Sequence, residues 1–158
     1  MKPLDHILDN FLKLIGITQY DALLHFNLAP LQTRRDMTAL TVIHRALLHQ
    51  GPEVLQKFFS LDSTPPRHSA RLGQSTRTHY VKDLYEPLHR DYLNRSVLGY
   101  IWVYNLLPDR VVHATTTRNF QTVLQSILKT VADMNNDTWI HMYCPRAPRN
   151  LSPLRHIG

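Results

Sequence analysis

Apolar residues return every three or four positions in four stretches of this chain, and proline and glycine stops divide those stretches. That period predicts helices. Leu4, Ile7, Leu8, Phe11, Leu12 and Ile15 line a first helix from about Pro3, a favourable opening residue, to Ile15, with Gly16 closing it. A short second helix follows Thr18, with Tyr20, Leu23 and Leu24 as its apolar residues and Asp21 in its first turn, until Asn27 and Pro30 break it. The third and longest runs from about Leu31 to His49 along Leu31, Leu40, Ile43, Leu47 and Leu48. Gly51-Pro52 ends it and opens a fourth helix through Phe59.

The pattern fails from Ser60 to His79, where Pro65, Pro66, Gly73 and many hydroxyls predict a loop with a short extended piece near Thr78–Val81. A fifth helix is expected over Tyr92 to Leu106, with Val97, Leu98, Ile101, Trp102 and Asn105 at helical spacing. The run VLGYIWVY is also compatible with a strand. Pro108 stops this element, a short basic turn follows, and Thr115, Thr116 and Thr117 offer caps for a last helix. Phe120, Val123, Leu124, Ile127, Leu128 and Val131 form its continuous stripe. Beyond Asn135-Asn136, Trp139 is expected to dock the start of an irregular tail. The fold class is therefore all-α: a small irregular bundle of five to six helices over residues 1–134, with a loop at about 60–80 and a basic, proline-containing tail over 135–158.

Charge changes that picture. The chain carries a net +6, and residues 60–82 and 140–158 each hold +3 of it, so the remainder is neutral. Arg67, Arg71 and Arg77 lie in the first stretch, and Arg146 and Arg149 in the second. Basic, weakly periodic arms suit a polyanion; soluble connectors have the same composition. No apolar run is long enough to cross a membrane, and Asp5 and Asp9 interrupt the N-terminal stripe unlike a signal peptide. Cys144 is the single cysteine, which excludes an internal disulfide and makes a reducing, intracellular setting, nuclear or cytoplasmic, the simpler expectation.

The block from Tyr104 to Val131 resembles the C-terminal end of reverse transcriptases encoded by non-LTR, LINE-like retrotransposons. There a helix ending in aromatic-Asn-x-Leu-Pro precedes a Thr/Ser-rich turn and a Phe-led helix. Tyr104 stands where the family has Trp, followed by Asn105, Leu107, Pro108, Thr117 and Phe120. Upstream, Leu28, Pro30 and Leu31, the doubled Arg34-Arg35, Arg45 within a long helix and a Gly-Pro stop are similar to the region after the polymerase core. The opening helix is similar to the one that precedes it. The likeness spans most of residues 4–131, in short degenerate pieces kept in order.

The chemistry of polymerisation is absent from the sequence. Reverse transcriptases hold two divalent metals with aspartates that include an Asp-Asp pair after an aromatic residue, and this chain has no Asp-Asp pair; nor has it a GxxxxGK[ST] loop. Ten histidines do not suggest a metal site: His44 and His49 point about 140° apart around a helix, and His141 and Cys144 form a lone H-x-x-C. No metal, cofactor or catalytic residue is expected. Arg34 and Arg35 oppose the helix dipole at the start of the third helix, so they either pair with acids such as Asp21 or face phosphates; Asp36 beside them is the favourable choice there. Tyr92, Tyr100, Trp102 and Tyr104 could stack bases, but their spacing favours core packing.

These expectations define a non-enzymatic module. The resemblance implies a role in contacting RNA or a template–primer duplex through phosphates, alongside a catalytic polymerase core elsewhere. Arg34, Arg35, Arg67, Arg71, Arg77, Arg146 and Arg149 are the candidate contacts. The alternatives are a helical protein-interaction module and a retroelement remnant without activity.

Overall fold

A computed structural model describes residues 2–62, 80–81, 96–134, 137–146 and 154. Seven α-helices lie among the described residues: α1 (Lys2–Leu14), α2 (Gln19–Phe26), α3 (Leu31–Leu47), α4 (Glu53–Phe58), α5 (Ile101–Asn105), α6 (Asp109–Val112) and α7 (Thr117–Asp133). The fold is all-α apart from two-residue strands β1 (Leu61–Asp62) and β2 (Tyr80–Val81), which pair antiparallel with Leu61 opposite Val81. That pairing places the expected extended piece at the far end of the 60–80 region. Residues 63–79 lie outside the described part.

Local chemistry sets most helix ends. Thr18 caps α2, its hydroxyl oxygen accepting from the Asp21 N–H at 3.0 Å, while the hydroxyl donates to the Asp21 carboxylate at 2.6 Å. Asn27 ends α2 in the left-handed region at φ 55°, and Gly16 ends α1 at φ 71°. Of the three threonines before α7, Thr116 is the cap, accepting from the Asn119 N–H at 3.1 Å.

The two 17-residue helices, α3 and α7, pack on each other and gather the other elements around them. On α7 the apolar stripe is the core face: Phe120, Leu124, Ile127, Leu128 and Val131 are buried. The buried face of α3 is mixed, with Thr33, Asp36, Met37, Leu40, Thr41, Ile43, His44 and Ala46. The apolar stripe of α3 looked sparse in the sequence because polar side chains fill half of the buried face.

Two expectations change. The fifth helix begins as a 3₁₀ turn, Val97–Tyr100, and only Ile101–Asn105 is α-helical; Tyr92 and its neighbours to 95 lie outside the described residues. Glycine at position 99 and the β-branched and aromatic residues around it do not favour a longer helix. The segment after Pro108 is the single-turn α6 rather than a turn, with Pro108 at its N-cap. Downstream, Trp139 sits in a 3₁₀ turn (Asp137–His141) and is buried, as are Met142, Tyr143 and Leu154. The start of the expected tail thus belongs to the core. The Tyr143 hydroxyl donates to the Leu124 carbonyl at 2.9 Å, and Thr33 donates to the Ile140 carbonyl at 2.9 Å.

Candidate nucleic-acid interface

Tyr104 and Phe120, two of the residues that carried the family resemblance, lie together inside the protein with ring centroids 6.1 Å apart. His44, 1% exposed, lies on Phe120 with ring centroids 4.0 Å apart and planes 9° from parallel. Its Nδ1 is 2.9 Å from the Tyr104 hydroxyl and its Nε2 2.9 Å from the Ala114 carbonyl. A carbonyl can only accept, so Nε2 carries the proton and Nδ1 accepts from Tyr104. Burial holds His44 below its ordinary pKa, with the Ala114 carbonyl pulling the other way. Asn105 bonds both backbone groups of Val81: its Oδ1 accepts from the N–H at 3.0 Å, and its Nδ2 donates to the carbonyl at 2.9 Å. Tyr104, Asn105, Leu107 and Phe120 are thus occupied in holding the fold, and none of them offers a contact surface.

The two adjacent arginines part company. Successive side chains on a helix point about 100° apart, so Arg34 and Arg35 cannot share one face. Arg35 leans on α1, with its guanidinium 3.6 Å from the Asp5 carboxylate; both side chains are about one-third exposed. The partner is Asp5 rather than Asp21, whose carboxylate takes the Thr18 hydroxyl. Arg34 is exposed and pairs with no carboxylate among the described residues. Arg146 is also exposed, while Arg67, Arg71, Arg77 and Arg149 lie outside the described residues.

Arg34 opens into a groove between α3 and α7 with a volume of about 730 Å³. Arg34, Thr38 and Met37 form one wall, and Gln121, Gln125 and Lys129 stand on the other. Asn27, Thr122, Ser126 and Thr130 complete the lining, which includes no carboxylate among the described residues. The Lys129 ammonium donates to the Leu24 carbonyl at 3.0 Å, which fixes it at the end of α2 and leaves further N–H donors for a ligand. Gln125 Nε2 is buried without an acceptor. Leaving such a donor unmet costs about 1–3 kcal/mol, and the atom is enclosed by the protein rather than open to the groove. Lys129 and the two glutamines were not among the sequence candidates. The only earlier hint was that Lys129, Gln125 and Gln121 recur every fourth residue on the polar face of α7.

Asp36 has a different role from the dipole partner expected of it. It is fully buried, and its Oδ1 accepts from the Tyr100 hydroxyl at 2.6 Å and the Gln32 amide at 2.7 Å. Burial raises its pKa, against those two hydrogen bonds and the charges of Arg146 and His141. Burial and the bond to Asp36 likewise raise the pKa of Tyr100. The aromatic residues Tyr100, Trp102 and Tyr104 pack in or against the core, not in an open stacking platform. Cys144 is half-buried, and its N–H closes a turn onto the His141 carbonyl. Among the described residues no three His, Cys, Asp or Glu side chains are grouped to hold a metal ion, and no helix is long and apolar enough to cross a membrane.

Comparisons with protein-family models, curated proteins and solved structures find no match to this chain.

Proposed function

We propose that this chain is a non-catalytic helical module that holds RNA or a template–primer duplex through its phosphates, using the α3–α7 groove as a rigid contact. The observation that carries the reading is the groove's chemistry. Arg34 and Lys129 supply charge, and no carboxylate lines the groove among the described residues. RNA duplexes are recognised mainly by shape and backbone, a task for cations on rigid helices rather than for a base-reading surface. The resemblance to the region that follows a polymerase core agrees with this use, and a catalytic core elsewhere would do the chemistry.

The test is fluorescence anisotropy with a labelled RNA duplex over a salt series. Arg34→Ala with Lys129→Ala is expected to weaken binding at low salt and to flatten the plot of log affinity against log salt. Each phosphate contact contributes about −0.9 to that slope on duplex DNA. Arg35→Ala, which removes a pair worth at most about 1 kcal/mol, should leave binding unchanged. A folded double variant with the parent's affinity and slope would refute the reading. A second reading, a protein-interaction module, is favoured by one observation: most of the apolar face of α1 is exposed.

A further inference from the structure

The basic face of the α3–α7 pair continues past the groove. On α3, Arg45 follows Arg34 by eleven residues, and on α7, Lys129 follows Arg118 by eleven. At about 100° per residue, eleven steps return to within about 20° of the starting direction and advance about 16.5 Å along the axis. Each helix therefore carries its two cations on one face, three turns apart. Arg34, Arg45 and Arg118 are exposed, and Lys129 is half-buried. The helices run antiparallel. Near the start of α3, Lys129 reaches the Leu24 carbonyl at the end of α2. Past the other end of α3, the Thr117 hydroxyl donates to the Gln50 side-chain carbonyl at 3.4 Å, and the Arg45 guanidinium donates to the Gln50 backbone carbonyl at 3.2 Å. Arg34 and Lys129 thus mark one end of the seam, and Arg45 and Arg118 the other.

Helix stability does not explain this placement. Arg118, like Arg34, lies in the first turn of its helix, where a cation opposes the dipole. Neither pairs with a carboxylate among the described residues. Of the two carboxylates on these helices, Asp36 is buried and Asp133 accepts from the Tyr20 hydroxyl. No large apolar side chain of α3 or α7 is exposed, so the seam lacks the anchors of a protein interface. We infer that the seam is one continuous track for the backbone of a duplex strand, with Arg45 and Arg118 holding phosphates of the same run that Arg34 and Lys129 hold. The track rests on the reading of the groove as a phosphate site and extends that site from a point to a length of backbone. In B-form geometry one strand advances about 3.4 Å per nucleotide along the axis, so the track covers about five nucleotides.

A salt series with a labelled RNA duplex tests this. Arg45→Ala with Arg118→Ala should weaken binding at low salt and flatten the plot of log affinity against log salt by about two units. Arg118→Ala alone, at a side chain with no ion pair among the described residues, should keep the parent's melting temperature and flatten the slope by about one unit. Arg45→Lys with Arg118→Lys should restore the slope. A 5′-phosphorylated dinucleotide reaches only one end of the track, and it should compete roughly a hundredfold more weakly than the unlabelled duplex. A parent that binds while the alanine variants keep its slope overturns the track and leaves the groove as a point contact, as does a dinucleotide that competes as well as the duplex. A parent that fails to bind at low salt refutes the groove reading itself, and the track with it.

Discussion

His44 illustrates how a single side chain joins three elements. It reaches from α3 to Tyr104 on α5, to the carbonyl that follows α6, and to the face of Phe120 on α7. His44→Ala would leave a cavity and two unmet polar groups, and it should cost about 2–4 kcal/mol in a urea titration. The pH dependence follows from the burial that lowers its pKa. Below about 6.5 the unfolded chain takes up a proton that folded His44 refuses, so stability is fully present above that value and is lost as pH falls. A parent chain losing more melting temperature than His44→Gln between about pH 7.5 and 5.5 would bear this out. Asp36 acts with the opposite sign. Its raised pKa means that the folded chain keeps a proton the unfolded chain gives up above about 3.9, and stability is lost as pH rises through the folded value. Asp36→Asn separates the two contributions.

The helices differ in how plainly the sequence announced them. Helices α1, α2 and α7 were legible because each combines a regular apolar stripe with a specific stop or cap: Gly16, Thr18 with Asn27, and Thr116. The extent of α3 from Leu31 was legible too, but the buried face of its N-terminal half was not, because Thr33 and Asp36 take core positions that a hydrophobic pattern reads as solvent-facing. Their burial depends on Tyr100 and Ile140, more than 60 residues away, and no local window contains that information. The segment after α7 was half legible: Trp139 was expected to dock, but Met142 and Tyr143 were read as tail. Fully burying one large apolar side chain contributes about 1.5–3 kcal/mol, and a small domain has only about 5–15 kcal/mol in all. A chain cut after residue 134 should therefore lose its cooperative thermal transition in calorimetry. A sharp transition close to the parent's would show that the segment is an ornament on an autonomous bundle.

Over the whole molecule, charge and shape are divided between different parts. The α3–α7 groove holds two cations, Arg34 and Lys129, while the net charge of the chain sits in residues 60–82 and 140–158. The site was legible only at Arg34; its companions come from α7, and only the packing of α3 on α7 brings them together. If the basic stretches also touch nucleic acid, changing Arg67, Arg71 and Arg77 together to Ala should flatten the salt slope by roughly two to three units and barely move the melting temperature. An unchanged slope would assign those arginines to solubility alone and leave the groove as the binding element.

The Asn105 clamp on Val81 has a consequence in time rather than in energy. A two-residue ribbon such as β1–β2 frays readily, and its amide protons would ordinarily exchange with solvent within moments. The Val81 N–H is instead held by a side chain anchored in α5. Its exchange with deuterium is therefore gated by the opening of α5, and this one amide reports the lifetime of the core from the edge of the fold.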